Sequence, residues 1–362
     1  MLTTAQIPVL DLTAAPDFAR ETGLRYVRDD EPGFSRRRAG KGFTYLDHQN
    51  CRISNDDVLE RIRALVLPPA WDSVWICRFQ NGHLQATGRD ARERKQYRYH
   101  TRWTTARNEN KFGKLKLFGE ALPELRRQVM SDLKIKGMSR DKVLAGVVQV
   151  MELTQMRVGN DEYAEENNSY GLTTLLNRHA KVRGQEVHFK FRGKSGVEHD
   201  VTFEDPVLSK IVRRCQELPG QELFAYLDDE GEAHDIGSAD VNEYLRRATG
   251  ECITAKDFRT WGGTRKAIEI LTQTGPLDDE ASERAHKIRE VGVIKDTAAH
   301  LGNTVAVCRK YYVHPLVFEA DREGRLHDLH RAEKKKRSSK SSPKGRSAEL
   351  SVEERVLMKL LS

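Results

Sequence analysis

The chain has 362 residues, enough for about two domains with a substantial hydrophobic core. Its residues are 38% hydrophobic and 32% charged, which indicates a folded, soluble protein and excludes a disulfide-stabilised mini-scaffold. The net charge of +7 favours a polyanionic partner such as nucleic acid. The sequence lacks an apolar run of about 18 residues, a signal-peptide pattern and any CxxC among its five cysteines. We therefore expect no membrane span and a cytoplasmic protein.

Residues up to about 104 have the pattern of a β-rich domain. The predicted elements are the helix Asp56 to Leu65, the strand Ser73 to Phe79, the turn Asn81-Gly82 and a return strand from Leu84. After Trp103 the pattern becomes helical. We therefore place the N-terminal domain at residues 1–104.

Residues 105–330 predict a mainly α-helical domain. Ser139 is the expected N-cap of a helix that Gly159 ends, so that Arg157 falls in its last turn. Two alternating segments joined by Gly193 to Gly196 predict one strand pair. The other predicted helices are Leu115 to Leu133 with Pro123 inside it, Pro206 to Glu217, Ala239 to Thr249, Trp261 to Thr272, Glu280 to Val291, and a short helix between Thr304 and Pro315.

The remaining segment, residues 331–362, is expected to be a basic, disordered C-terminal tail. Residues 331–346 contain five Lys and three Arg against one Glu, which equals the whole formal charge excess. No large apolar side chain occurs there, so this part cannot bury enough surface to fold alone. Val352 to Leu361 can form a short apolar helix after it.

Several common chemistries lack their motif. Gly193-Lys194-Ser195 looks like the end of a phosphate loop, but the pattern GxxxxGK[ST] requires glycine where His188 stands. The twelve histidines are dispersed without HExxH, and no carboxylate pair stands in an apolar setting. We therefore expect neither ATP nor a metal as cofactor.

Cations in special local settings, followed by a tyrosine, form the informative pattern. They occur in the segments Gln155-Met-Arg-Val-Gly159, Phe191-Arg-Gly-Lys-Ser195, Lys256-Asp-Phe-Arg-Thr260, Leu301-Gly-Asn-Thr304 and Arg309-Lys-Tyr-Tyr-Val313. With these segments, and with Gly40 to Tyr45 and Gly88 to Tyr99 in the first domain, the sequence resembles type IB DNA topoisomerases, in the short poxvirus-like form found in bacteria. The resemblance extends from about residue 24 to 320, and the order and spacing of the segments make it specific.

The resemblance implies an α+β fold of the tyrosine recombinase and type IB topoisomerase kind. A small β-rich DNA-binding domain and a larger, mainly α catalytic domain would form a clamp around duplex DNA. The implied reaction is relaxation of positive and negative supercoils through a 3′-phosphotyrosine intermediate in one strand, followed by religation. Because the covalent link conserves the bond energy, protein cations suffice for transition-state stabilisation.

By resemblance, Tyr312 is the nucleophile, nine residues after Asn303, and Tyr311 is a packing residue. Arg157 and Arg259 are expected to donate hydrogen bonds to the non-bridging oxygens of the scissile phosphate. Residue chemistry alone also allows ordinary roles: an aromatic anchor for Tyr312, complementarity to a helix C-terminus for Arg157, and a surface ion pair for Arg259.

Lys194 matches the family's general acid, which protonates the leaving 5′-oxygen, and Lys256 matches a lysine that assists this transfer. A lysine at a hairpin turn is otherwise just a solvated residue. Asn303 departs from the pattern, because poxvirus members and many relatives have histidine there. Its amide can still donate to a phosphate oxygen but cannot carry charge, and it also suits a helix-starting turn.

Four further residues match DNA contacts of the family. Gln96, Tyr97 and Tyr99 lie on a basic segment with interleaved aromatics, and a half-buried edge strand has the same pattern. Tyr163 matches another DNA-contacting tyrosine. We expect a monomer without an obligate protein partner, associated with the nucleoid in the cytoplasm.

Two alternatives remain at this point. A tyrosine recombinase shares the Arg, Lys and Tyr chemistry, but recombinases usually have HxxR where this chain has Lys256-Asp-Phe-Arg259, and partner-exchange helices are not identifiable. A non-catalytic DNA-binding protein would use the same basic surfaces without needing the Tyr312 hydroxyl.

Overall fold

The computed structural model describes residues 15–40, 42–161, 164–165, 168–278, 280–338 and 347–362. The chain divides into two compact units, Met1–Gly113 and Lys114–Ser362. Throughout the described ranges, no helix combines the length and the apolar character needed to cross a membrane.

The first unit is built around an antiparallel sheet. Its strands are β1 Phe34–Ala39, β2 Gly42–Leu46, β3 Asp72–Ile76, β4 Leu84–Arg89 and β5 Lys95–Tyr99, and its helices are α1 Ala15–Glu21 and α2 Asp56–Ala64. The strand order is β2-β1-β3-β4-β5, so β5 is an edge strand. The Asn55 side chain caps α2 by accepting from the Val58 amide, and Ile62 packs against Val74 and Ile76. The predicted helix and strand pair are confirmed.

Helix α3, Thr101–Asp132, crosses the division between the two units. The sequence pattern places the boundary after residue 104, whereas the units divide after Gly113. Ala106 accounts for part of the difference, because it lies beyond residue 104 and packs against the buried cluster that contains Phe18 and Trp103. The first turns of α3 therefore complete the core of the N-terminal unit.

The second unit is mainly helical. Its helices after α3 are α4 Arg140–Thr154, α5 Leu208–Gln216, α6 Ser238–Thr249, α7 Ala255–Thr274, α8 Glu283–Leu301, α9 Val305–Tyr311, α10 Leu316–Arg322, α11 Arg325–Ser338 and α12 Val352–Leu360. Its strands are β6 Ala180–Arg183, β7 Glu186–Arg192, β8 Glu198–Glu204, β9 Ala225–Leu227 and β10 Ala233–Asp235. β6, β7 and β8 form one sheet in that order. The sequence pattern predicts β7 and β8 but not the short β6.

Helices α4 and α7 form the centre of the second unit. Val143, Val147 and Met151 of α4 are fully buried. Phe258 of α7 packs edge to face on Phe118 of α3, with 4.9 Å between ring centroids. Helix α7 begins at Ala255, earlier than the predicted Trp261, so Lys256 and Arg259 both lie on it.

The end of α4 differs from the expectation. The helix ends at Thr154, and Gln155 adopts a left-handed conformation with φ 57°. Arg157 therefore lies after the helix and not in its last turn, so the predicted end at Gly159 is wrong. The reason is a tertiary contact, because the Arg259 guanidinium donates a hydrogen bond to the carbonyl oxygen of Gln155 and fixes the chain reversal there.

The expectation of a disordered tail is wrong for the described part of residues 331–362. Residues 331–338 continue α11, and α12 matches the short helix expected from Val352. Glu354 accepts from Arg126 at 2.8 Å and from the Trp261 indole at 3.1 Å, and Leu357 is buried. Helix α12 therefore packs on the core of the second unit. The basic residues 339–346 lie outside the described residues.

Candidate active site

Arg259 is fixed inside the second unit by backbone carbonyls. It lies in the second turn of α7 and is only 3% exposed. Its guanidinium donates to the carbonyl oxygen of Gln155 and, at 2.6 Å, to that of Leu301. These carbonyls come from the ends of α4 and α8, so Arg259 joins three helices at one point.

Arg259 also lies close to a second cation and to a tyrosine. Burial, and after it the charge of Arg157, lower the pKa of Arg259 to about 10, against an opposing interaction with Tyr312. Arg259 is still protonated at neutral pH, because that value is well above 7. Two guanidiniums held near each other, one of them buried, favour an anion in their vicinity.

Arg157 is bound to Asn303. Its Nη2 donates to the Asn303 side-chain oxygen at 2.6 Å. Asn303 follows Gly302, which ends α8 in a left-handed conformation with φ 60°, and precedes Thr304, the N-cap of α9. The helix-starting turn expected from the sequence is therefore present, and the Asn303 side chain is also turned to Arg157. Asn303 therefore combines the turn before α9 with a hydrogen bond to Arg157.

Tyr312 ends α9 beside α7. Its amide donates to the Cys308 carbonyl at 2.9 Å, and its ring lies 5.2 Å from the Arg259 guanidinium carbon. A Cβ at Gly263 would lie 2.6 Å from the Tyr312 carbonyl oxygen, so only glycine permits this approach. The side chain is half-buried.

Two hydrogen-bond donors at this site have no partner in the part of the chain that the structure describes. Among the described residues, Asn303 Nδ2 and Arg259 Nε are both buried and unbonded. Leaving such donors unpaired costs about 1–3 kcal/mol each, so they are characteristic of a site that binds an acceptor. A phosphate oxygen is such an acceptor and suits the two neighbouring cations.

The two predicted lysines enter from other elements. Lys194 is exposed on the turn Lys194–Gly196 between β7 and β8, where Ser195 has a left-handed φ of 64°. Lys256 is exposed in the first turn of α7, where the helix dipole disfavours a cation. Direct contacts link Arg157 to Asn303 and Arg259 to Tyr312, and the charge of Arg157 acts on Arg259.

His199 is a site residue that the sequence reasoning missed. It lies in β8, and its ring stacks on Phe191 with 4.9 Å between centroids and 9° between planes. Burial lowers the pKa of His199, and the charges of Arg157 and Arg259 lower it further. An available signal was its place five residues after Lys194, on the predicted return strand.

The predicted DNA-contacting residues of the first unit lie on the edge strand β5. Tyr97 is 49% exposed, and its ring stacks on Tyr99 with 6.0 Å between centroids. Gln96 donates to Asp90 at 2.9 Å, and the Lys95 ammonium lies 5.7 Å from the Tyr97 ring centroid. This strand offers an aromatic surface with cations. Tyr163 lies outside the described residues.

Comparisons with known proteins identify the family of this chain. The family model "Eukaryotic DNA topoisomerase I, catalytic core" matches residues 98–339, more than half of the chain, and "Bacterial DNA topoisomerase IB, N-terminal domain" matches residues 42–90. The chain is 30% identical over 285 residues to DNA topoisomerase 1B of Acanthamoeba polyphaga mimivirus, covering 78% of this chain and 85% of that protein. It is 22% identical over 319 residues to DNA topoisomerase 1B of Vaccinia virus (strain Copenhagen), covering 86% and 89%. The chain therefore belongs to the type IB DNA topoisomerases, a family of isomerases that act on DNA.

Proposed function

We propose that this topoisomerase relaxes supercoils of both signs without ATP or metal, through a covalent intermediate at Tyr312. The observation that carries the proposal is the contact of Tyr312 with Arg259, inside a group that holds two cations and two unpaired donors. Such a group can stabilise the negative charge that develops on a phosphodiester under attack.

In the cleavage step, the Tyr312 oxygen attacks the phosphorus, and its phenolic proton passes to solvent water. A bond forms between the Tyr312 oxygen and the phosphorus, which stays on the 3′ end of the broken strand. The bond between the phosphorus and the 5′-oxygen breaks. The 5′-oxygen leaves as a hydroxyl after it takes a proton. Rejoining is the reverse, with the 5′-hydroxyl as nucleophile and Tyr312 as leaving group, so the number of phosphodiester bonds is unchanged overall.

Three residues bind the phosphate in this proposal. Arg157 and Arg259 donate to the non-bridging oxygens, and Asn303 donates through Nδ2, which has no partner among the described residues. The pocket is organised in advance, because Arg259 is held by two carbonyls and Asn303 by Arg157. Removal of one such donor typically slows a reaction by about 10²- to 10³-fold.

Lys194 is the proposed general acid, and Lys256 assists it. Lys194 is exposed on the turn between β7 and β8, from which its side chain can approach the leaving oxygen once DNA is bound. Lys256 is on the same helix as Arg259, one turn earlier, which places a further cation at this end of the helix. Proton transfer of this kind typically contributes about 10²- to 10⁴-fold.

We propose further that both units bind the same duplex, as the expected clamp requires. Gln96, Tyr97 and Tyr99 would contact the DNA from β5, where exposed rings and neighbouring cations favour base and backbone contacts. Tyr163 is assigned to DNA contact through the resemblance alone. The protein would act as a monomer in association with the nucleoid.

The experiment that tests the function is relaxation of supercoiled plasmid in EDTA without nucleotide. We expect the parent protein to relax both positive and negative supercoils and Tyr312→Phe to relax neither. Tyr311→Phe is the matched control, because it removes the adjacent hydroxyl and should retain relaxation. Denaturing the protein on substrates labelled at the 5′ end of the cleaved strand should trap a labelled covalent adduct with the parent and with Tyr311→Phe.

Other outcomes would contradict the proposal. Relaxation that depends on magnesium or ATP would exclude the cation-only mechanism. Exchange of strands between two duplexes, without relaxation, would favour a recombinase. DNA binding that is equal in the parent and in Tyr312→Phe, with no covalent adduct in either, would leave a non-catalytic DNA-binding protein.

A further inference from the structure

The imidazole of His199 lies between two backbone segments that are far apart in the sequence. A Cβ at Gly193 would lie 2.6 Å from the ring carbon Cδ2 and 2.7 Å from Nε2. A Cβ at Gly302 would lie 3.0 Å from Cε1. Both glycines are therefore in close contact with the ring, one on the β7–β8 hairpin and the other at the end of α8.

Each of these glycines directly precedes a proposed site residue. Gly193 precedes Lys194, the proposed acid, and Gly302 precedes Asn303, which holds Arg157. The His199 ring is itself held by stacking on Phe191, its cross-strand neighbour. The His199 ring therefore separates the turn that carries Lys194 from the turn that carries Asn303.

The electrostatic surroundings of His199 favour a neutral ring, which suits a residue that only holds two backbone segments apart. Burial and the two arginines lower the pKa of His199 and so disfavour its protonated form, and Glu198 opposes this effect. The ring is thus neutral and adds no positive charge beside Arg157 and Arg259. A protonated ring would be repelled by both arginines.

We propose that His199 is a positioning residue, whose ring sets the distance between the Lys194 turn and the Asn303 turn. The inference rests on the proposed function, because it assigns Lys194 to protonation of the leaving group. Loss of the ring would let the hairpin collapse toward Gly302 and misplace Lys194. A displacement of about 1 Å can cost about 10²-fold in rate, and the effect would be restricted to the proton-transfer step.

The test is single-turnover cleavage of a DNA substrate with either oxygen or sulfur as the 5′ leaving atom. A thiolate leaves without protonation, so the sulfur substrate does not need the acid. We expect His199→Ala to cleave the oxygen substrate about 10- to 100-fold more slowly than the parent, and the sulfur substrate within a few-fold of the parent. His199→Phe preserves the stacked ring and should cleave both substrates within a few-fold of the parent.

Two further variants make the test independent of the folding of His199→Ala. Gly193→Ala adds a methyl group that must displace the ring, so it should show the same oxygen-selective defect. His188→Ala is the matched control, because His188 is on the same hairpin but pairs with Asp200. It should cleave both substrates as the parent does.

Three results would overturn the inference: parent-like cleavage of the oxygen substrate by His199→Ala and Gly193→Ala, an equal defect on both substrates, or a His199→Phe variant as slow as His199→Ala. Failure of the proposed function is distinguishable. In that case the parent would form no adduct at Tyr312, or sulfur would not rescue Lys194→Ala.

Discussion

The guanidinium of Arg259 lies over the ring of Tyr312, with 5.2 Å between its carbon and the ring centroid. The same guanidinium is held by carbonyls from the ends of α4 and α8. Arg259 therefore has two functions, because it joins three helices and supplies charge next to the proposed nucleophile. Variants at this position should affect both stability and cleavage.

We predict that Arg259→Ala slows single-turnover cleavage by about 10²- to 10³-fold and also lowers the melting temperature. The buried carbonyls of Gln155 and Leu301 would lose their donor. Arg157→Ala is the matched comparison, since Arg157 is less buried and bonds a side chain. It should show a similar loss of cleavage with a smaller change in melting temperature, measured by calorimetry. Equal melting temperatures for both variants would contradict the structural role of Arg259.

Substitutions of Asn303 should distinguish the role of its amide oxygen from that of its donor Nδ2. Asn303→Asp keeps an oxygen for Arg157 but replaces the donor Nδ2 with a negative charge that repels phosphate. It should cleave more slowly than Asn303→Ala, which should itself be about 10²- to 10³-fold slower than the parent. Asn303→His, the residue that the resemblance leads one to expect here, should retain most activity. An Asp variant as fast as the parent would show that Nδ2 does not contact the phosphate.

Acid sensitivity should depend on Glu333. Hydrogen bonding to Lys359, together with Arg355 and Lys336, lowers the pKa of Glu333 to about 2 from an ordinary 4.5. A lowered pKa in the folded state means that the stabilisation is complete above about pH 4.5 and is lost as the pH falls toward about 2. Glu333→Gln should lower the melting temperature at neutral pH and reduce its dependence on pH in this window.

The control for this experiment is Glu280→Gln, an exposed carboxylate for which no such ion-pair cluster is present among the described residues. It should melt as the parent does at every pH. A Glu333→Gln variant whose melting temperature follows the parent curve throughout would show that the ion pairs with Lys359 and Arg355 do not stabilise α12.

The basic residues 339–346 should add DNA affinity through counterion release. Deletion of the whole tail is unsuitable, because α12 packs on the core. Replacing Lys340, Lys344 and Arg346 with Gln should reduce the slope of log K against log salt by about 0.9 for each phosphate that the segment no longer neutralises. Lys210→Gln, on the exposed side of α5, should leave the slope unchanged. An unchanged slope in the triple variant would assign this segment to solubility alone.

Local patterns predicted much of the fold, including α2, the β7–β8 pair and the helix beginning at Val352. They could not predict where α4 ends, because the left-handed conformation of Gln155 is fixed by Arg259, more than 100 residues away. They also missed that residues 331–338 are helical, since the ion pairs of Glu333 with α12 depend on tertiary packing. A run of charged residues predicts a solvated segment only where the fold does not place oppositely charged side chains next to it.

For the site, the sequence indicated which residue types matter, and the structure brings Arg157, Arg259, Asn303 and Tyr312 together. The roles of the individual residues stay predictions. The sequence places His199 on the same hairpin as Lys194, but its contact with Gly302 depends on how the hairpin packs on the end of α8. A histidine on an alternating strand is otherwise indistinguishable from a half-buried packing residue.

The close approach of Tyr312 to Gly263 has a mechanical consequence for the proposed reaction. In that reaction Tyr312 would carry the 3′ end of the DNA while the strand is open, and the Tyr312 backbone is in close contact with Gly263 of α7. The 3′ end attached to Tyr312 would therefore have little freedom to move. Torque in the DNA must be released by turning of the free 5′ end, while the held end keeps its place for rejoining.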